Sequence, residues 1–246
     1  MMKLTIKDLS LSYPQRKILE HVSFSVKTGE FVTLLGTSGS GKSTILNLLT
    51  GITQKQTGTI KVDHEEIQGL SLHFAYMPQE DLLLEWETVF DNVCLYQRIH
   101  HQPIDAAFVM KQLALFGLKG YEKAYPNELS GGMRQRVAFL RTVLCDADIL
   151  LLDEPFGALD VITRGDMQDW LHEIRGKLNK TIILVTHDID EAIYLSDRIL
   201  ILGGKPASIQ KEFHLTEQVR SREWLYANGA LRNDIYHELK GETNAD

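Results

Sequence analysis

Hydrophobic positions along the chain follow two different periods. Residues 4–11 carry Leu4, Ile6, Leu9 and Leu11, and the segments VSFSV (22–26) and TGTIKVD (57–63) alternate apolar with polar residues. Period two belongs to strands with one buried face, so these segments predict half-buried antiparallel strands. Three other runs are apolar throughout and end in polar chemistry: FVTLLG (31–36), DILLLDEP (148–155) and TIILVTHD (181–188). They predict a parallel sheet covered on both faces, whose ligands gather at the carboxyl ends of the strands. Helical signals lie between the strands. GKSTILNLLTG (41–51) places Ile45, Leu48 and Leu49 on one face and closes on Gly51. Residues 104–117 predict a helix ending at Gly117, and 165–178 another with Trp170, Leu171, Ile174 and Leu178 as its apolar stripe. DIDEAIYLSD (188–197) opens on acids, which favour a helix N-terminus. The helix-rich stretch 81–145 interrupts the strand–helix alternation and predicts an inserted helical subdomain. The tail from Phe213 to residue 246 predicts one or two short helices. No internal repeat, low-complexity tract or linker divides the chain, so residues 1–246 read as one α/β domain.

The strand ends carry the chemistry. GTSGSGKST (36–44) satisfies G-x-x-x-x-G-K-[ST], follows an apolar strand and opens a helix. Its residues Gly36, Thr37, Ser38, Gly39, Ser40, Gly41, Lys42, Ser43 and Thr44 form a candidate phosphate cradle. The glycines permit the tight turn, successive N–H groups face the anion, and the helix N-terminus adds on the order of 0.3–2 kcal/mol per charge. Lys42 would reach the β- and γ-phosphates and Ser43 would hold Mg²⁺. The acid at the end of the second apolar run, Asp153, is the expected second partner of Mg²⁺. Glu154 follows it and suits a general base for in-line attack by water. A second glycine pair opens a helix at LSGGMRQR (129–136). From the residues alone, Ser130 reads either as a helix cap or as a contact to a second phosphate.

Composition narrows the partners. The chain has 246 residues, 43% of them hydrophobic, with a net charge of −7. That acidity argues against nucleic acid as the main partner. Cys94 and Cys145 have no metal-ligand spacing and suggest no disulfide framework, which points to a reducing compartment. The N-terminal MMKLTIKDLSLSYP lacks an apolar signal region, and no apolar run approaches the roughly 18 residues of a membrane span. Work at a membrane would need another chain to do the spanning. NKTI (179–182) lacks the aspartate of a guanine-reading motif.

The run LSGGMRQRVAFLR resembles the signature motif of ATP-binding cassette (ABC) ATPases, and the other motifs of that family follow in order along nearly the whole chain. The resemblance implies a P-loop NTPase (RecA-like) core with a mainly parallel sheet, an N-terminal antiparallel β subdomain and an inserted α-helical subdomain. It implies a head-to-tail dimer holding two ATP molecules, in which Ser130, Gly131 and Gly132 contact the γ-phosphate bound by the partner's loop. Tyr13, in LSYP, is similar to the aromatic residue that stacks on adenine. Gln79, in YMPQED, resembles the glutamine that touches Mg²⁺ and water and senses the membrane partner. Asp160, in GALD, resembles the aspartate that reaches across the dimer, and His187, in LVTHD, the switch histidine at the γ-phosphate. These residues show no departure at the groups that do chemistry, which implies that both composite sites of a homodimer are active.

DEPFGALD and VTHDIDEAIYLSDRILIL resemble ATPase subunits of bacterial importers. MPQEDLLLEWETVFDNV is similar to the nitrate/taurine/alkanesulfonate branch, which includes transporters of thiamine-pyrimidine precursors. That branch often has proline before the tryptophan, whereas Glu85 precedes Trp86 here. Some other importer branches carry a regulatory domain after the cassette, for which 246 residues leave no room. The partners implied are a second copy, transmembrane permease subunits and, indirectly, a substrate-binding protein, with the chain peripheral on the cytoplasmic face of the membrane. The alternative is a soluble mechanical ABC-type ATPase acting on DNA or ribosomes. Against it stand the lack of heptads between 44 and 129, the single cassette and the acidic charge.

Overall fold

The computed structural model describes residues 1–14, 16–215 and 220–241. In chain order the strands are β1 (Met2–Tyr13), β2 (Arg16–Lys27), β3 (Phe31–Leu35), β4 (Thr57–Val62), β5 (Glu65–Glu66), β6 (Phe74–Met77), β7 (Ile149–Asp153), β8 (Thr181–Thr186), β9 (Arg198–Gly203) and β10 (Ser208–His214). The helices are α1 (Lys42–Thr50), α2 (Val89–Val93), α3 (Leu95–Ile99), α4 (Ala106–Leu115), α5 (Gly131–Val143), α6 (Val161–Ile174), α7 (Ile189–Leu195), α8 (Arg222–Ala227) and α9 (Gly229–Lys240).

The alternating segments form an antiparallel sheet in the order β2-β1-β4-β5. Leu4, Ile6, Leu9 and Leu11 are all buried despite the three-residue step from Ile6 to Leu9. The register shifts there, and Asp8 sits at φ 49°, so a β-bulge absorbs one residue and returns the later pair to the core face. The continuous apolar runs form a second sheet, β10-β9-β3-β8-β7-β6, parallel except where β10 meets β9. Both of its faces are covered. Leu150, Leu152, Ile182 and Leu184 face one apolar layer, and Ile149, Leu151, Ile183 and Val185 face another that includes α1 and the small sheet. This two-sided burial is why these strands read as unbroken hydrophobic runs.

Helices of the 81–145 insert share the first layer. Val93, Leu113, Phe116, Val137 and Leu140 are fully buried in the same cluster as Leu150 and Leu152. Phe116, Phe139 and Trp170 pack their rings 5.0–6.0 Å apart, which joins the insert to α6. Two boundaries differ from the sequence expectation. Helix α6 begins at Val161 rather than near 165, because the Asp160 side chain caps it, accepting from the N–H groups of Ile162 and Thr163. Phe213 lies in β10, held by pairing with Ile199, so the helical tail expected from 213 starts only at α8. Parts of that expected tail, 216–219 and 242–246, lie outside the described residues.

The register of the large sheet decides where the site forms. Leu35 pairs with Thr186, and Asp153 with Val185. The residues just beyond these ends, Gly36, Glu154 and His187, therefore emerge side by side at one edge. Met77 pairs with Leu152, which brings the segment carrying Gln79 to the same edge.

Candidate functional site

At this edge the loop 36–41 turns from β3 into α1. Gly41 stands at the helix start with φ 95°, a left-handed conformation open to glycine. A side chain at Gly36 would meet the Leu202 carbonyl oxygen at 2.7 Å, so the loop passes tightly over β9. Lys42 is only 5% exposed, and its Nζ donates to the carbonyl oxygens of Gly36 (2.8 Å) and Thr37 (3.0 Å). Burial pulls the Lys42 pKa down, and the nearby carboxylates of Glu154 and Asp153 work against that shift. The Glu154 carboxylate lies 3.9 Å away. An ammonium buried against two loop carbonyls is held ready to exchange them for phosphate oxygens.

Asp153 ends β7 in a buried position. Its Oδ1 accepts from Ser43 Oγ at 3.3 Å and its Oδ2 from Tyr76 OH at 3.0 Å. Burial raises the Asp153 pKa, while the two hydroxyls and Lys42 favour the charged form. A buried carboxylate contacted by neutral hydroxyls, with Ser43 opening onto the cavity that Gln79 also lines, is an oxygen-donor set that fits Mg²⁺. Tyr76 was not among the residues expected here. Its only signal was its place on the strand before Pro78-Gln79, and burial, together with the neighbouring Asp153, holds its phenol strongly protonated.

Glu154 adopts φ 46°, an uncommon conformation for a residue with a side chain. Its N–H donates to the Val185 carbonyl at 2.9 Å, which fixes the turn. Its carboxylate Oε2 meets His187 Nδ1 at 3.0 Å. Glu154 thus stands between the Lys42 ammonium and the His187 imidazole, the arrangement of a base oriented by one neighbour and charge-balanced by another. A cavity of about 480 Å³ opens here, lined by Ser38, Gly39, Gly41, Lys42, Ser43, Thr44, Gln79 and Glu154. Thr37 and Ser40 line a neighbouring cavity that shares Arg16, Ile18, Ser38 and Gly39 with this one.

Arg16 and Ile18 also line the larger cavity, whereas Tyr13 does not. Tyr13 ends β1 with 55% of its surface exposed. The hairpin therefore offers a guanidinium and an aliphatic side chain to the space where an aromatic was expected. Neither residue had a motif to mark it.

Ser130, Gly131 and Gly132 are not among the residues lining that cavity. Ser130 caps α5, its Oγ accepting from the Met133 N–H at 3.3 Å. A hydroxyl that accepts through a lone pair keeps its proton to donate, so capping and phosphate contact are compatible roles. The glycines lie against the start of the next helix: a side chain at Gly131 would meet Leu159 at 3.5 Å, and one at Gly132 would meet Thr163 at 2.8 Å. Asp160 caps α6, and the bonds it accepts hold its carboxyl below the usual range.

The segment after Gln79 is tied to the same helix. Arg134 of α5 forks onto Asp81 (2.8 and 3.2 Å) and reaches Glu85 (2.8 Å), and Arg141 donates to the Leu82 carbonyl at 2.8 Å. Glu85 is thus a partner of α5. Leu82 and Trp86 beside it project into solvent, Trp86 with 74% of its surface exposed. Among the described residues, no helix is long and apolar enough to cross a membrane.

Comparison with known proteins agrees with this geometry. A family model described as ABC transporter matches residues 19–157. The aliphatic sulfonates import ATP-binding protein SsuB of Bacillus cereus is 44% identical over 195 residues, covering 79% of this chain and 77% of that protein. Its counterpart in Bacillus subtilis is 41% identical over 210 residues, covering 85% and 82%. The formylaminopyrimidine import ATP-binding protein ThiZ of Halalkalibacterium halodurans is 43% identical over 206 residues, covering 82% and 80%. Among solved structures, a dimeric ATP-binding cassette in a post-hydrolysis state, bound to ADP and Pi, has a TM-score of 0.71 at 27% identity and covers 87% of this chain and 99% of that one. The family model and these relatives show that the chain belongs to the ABC transporter family, as one of its ATP-binding cassettes.

Proposed function

We propose that this cassette hydrolyses ATP to power an importer of a small solute, of the sulfonate, nitrate or thiamine-pyrimidine class, as one of a head-to-tail pair beneath a transmembrane permease. One observation carries the reading: the phosphate chemistry is divided. Lys42, Ser43, Gln79 and Glu154 line one cavity, with Asp153 bonded to Ser43 and His187 to Glu154, while Ser130, Gly131 and Gly132 are not among its lining residues. A second copy turned head to tail supplies each cavity with the missing contact. The names of the sulfonate and formylaminopyrimidine import relatives support the solute class.

In this reading the loop N–H groups and Lys42 bind the β- and γ-phosphates, and Lys42 exchanges its two loop carbonyls for them. Ser43, Asp153 and Gln79 would hold Mg²⁺, which supplies charge neutralisation on the transferring phosphoryl group. Glu154 accepts the proton of the attacking water, and His187 orients it through Nδ1 and faces the γ-phosphate. Ser130 donates its hydroxyl proton to the γ-phosphate of the opposite subunit, and the N-terminus of α5 favours that anion. Asp160 reaches across the same interface. ATP then favours the closed pair by differential affinity, and loss of the γ-phosphate removes the cross-subunit contact. Leu82 and Trp86 offer an apolar contact for the permease, and Arg134 and Arg141 connect that contact to the signature helix.

The test is purification of the tagged chain from gently solubilised native membranes. A polytopic permease should co-purify, and in liposomes ATP turnover should rise when a binding protein loaded with a sulfonate or pyrimidine is added. Repeated recovery of ribosomal or chromosomal partners without a permease would favour the soluble mechanical ATPases instead.

A further inference from the structure

His187 is exposed, with 55% of its side chain open to solvent. Packing does not hold it, so its aim depends on the residues either side. Both are tied to one buried acid. Thr186, the last residue of β8, hydrogen-bonds Glu191 through its hydroxyl, and the same hydroxyl accepts the Asp188 N–H at 3.0 Å. Asp188 Oδ1 in turn accepts the Glu191 N–H at 3.1 Å. The loop 186–188 therefore closes on Glu191 from both ends, through its side chain and through its backbone.

Glu191 is 4% exposed. Thr186, Asp188, and Arg164 and Gln168 of α6 face its carboxyl, and burial pushes that carboxyl up to about 8. Its Oε1 accepts no hydrogen bond among the described residues. Glu191 also lines a cavity of about 50 Å³ that it shares with Glu154 and His187. An acid kept this deep is costly unless its bonds matter to what surrounds it. Gln168 continues the network outward. It accepts from Arg222 of α8 at 3.1 Å, and Arg222 also donates to Asp169 (2.8 Å) and the Gly165 carbonyl (2.9 Å) and covers the Tyr194 ring at 4.5 Å.

We propose that Glu191 is a positioning residue for ATP hydrolysis: it holds the Thr186 hydroxyl and so fixes the loop that aims His187 at Glu154, and Gln168 and Arg222 extend that hold to the C-terminal helices. Glu191 touches neither substrate nor metal and acts through His187. The inference rests on the switch role proposed for His187.

The test uses the full chain with MgATP, with kcat and KM measured separately and binding of a fluorescent ATP analogue read alongside. Glu191→Ala and Thr186→Val should each lower kcat roughly ten- to a hundredfold with KM within about twofold, because a displaced catalytic group costs rate rather than phosphate binding. Glu191→Gln keeps a hydrogen-bonding group at the same place and should retain most of kcat. Arg222→Ala should lower kcat by a smaller factor. If Glu191→Ala does not fold, Thr186→Val, of nearly the same shape, decides. Wild-type kcat in Glu191→Ala and Thr186→Val, with His187→Ala impaired, would overturn the inference and leave the switch role standing. Equal losses in kcat and in nucleotide binding would also overturn it. Wild-type kcat in Arg222→Ala would overturn the extension to α8. Wild-type turnover in His187→Ala would remove the switch role itself and the inference with it.

Discussion

The loop at Gly36–Ser43 and the loop at Ser130–Gly132 both open a helix, yet their surroundings differ. Lys42 and Ser43 are met by groups of their own chain: loop carbonyls, Asp153 and the Glu154 carboxylate. Ser130 caps its own helix, and Gly131 is exposed beside Leu159. A site that must bind a nucleotide within one subunit is preorganised by buried, bonded side chains. A site that must meet another subunit's ligand keeps a donor at its surface and small residues around it. Under the proposed head-to-tail pairing, this difference makes the interface switchable, since the surface half gains its partner only when ATP is present.

The largest expected effect lies in the buried half. Glu154→Gln should keep ATP binding, lower turnover by about 10²–10⁴ and accumulate an ATP-bound dimer visible by size-exclusion chromatography. Normal turnover would remove Glu154 from the base role and with it the catalytic distinction between the halves. In the surface half, the better probe is Gly131 rather than Gly132. A side chain at Gly132 runs into Thr163 at 2.8 Å, whereas one at Gly131 meets only Leu159 at ordinary contact distance. Aspartate at a helix start is locally favourable, so loss of turnover in Gly131→Asp would come from repulsion of an approaching phosphate. That variant should bind ATP as a monomer and fail to pair.

The comparison has a sharper form in mixing. Lys42→Ala and Gly131→Asp should each be inactive alone. A mixed dimer carries one composite site with both halves intact, so equal mixtures should recover roughly a quarter of wild-type turnover. No recovery would mean that each chain completes its own site.

A smaller effect concerns the acid behind the switch. Burial puts the Glu191 pKa at about 8 against an ordinary 4.5. Its protonated form therefore favours the fold fully below about pH 4.5, and that contribution is lost as pH rises through about 8. Arg164 opposes this shift and Asp188 adds to it. Glu191→Gln cannot ionise, so its melting temperature should fall less between about pH 6 and pH 9 than that of the parent. The smallest effect belongs to Tyr13. Exposed at the end of β1 and absent from the lining of the cavity, its change to alanine should alter KM for ATP by less than about threefold, against a larger change for Arg16→Ala.

Motifs confined to one stretch of chain were legible from the residues. The phosphate loop needs only its own glycines and the helix it opens, and Asp153 and Glu154 announce themselves at the end of an apolar run. Contacts between distant stretches had no such mark. Tyr76 meets Asp153 across 77 positions, and Arg134 meets Asp81 across 53. Arg16 and Ile18 reach the cavity only because the hairpin folds over it. The bulge at Asp8 was foreshadowed by the uneven spacing of Ile6 and Leu9, but its cause, a shift of pairing against β2, belongs to the sheet.

By itself, the sequence determined which segments bury one face and which bury both, where the phosphate loop lies and which acids follow it. Those properties depend on side-chain periodicity and on turns a few residues long. The tertiary structure decided the strand order β10-β9-β3-β8-β7-β6, and so which strand ends stand together. It also decided that Ser130 is not among the residues lining the cavity beside Lys42, and that Glu191 closes the loop around His187. Each of these is settled by packing and register between residues far apart in the chain, where local preference carries no information and burial of the shared core selects the arrangement.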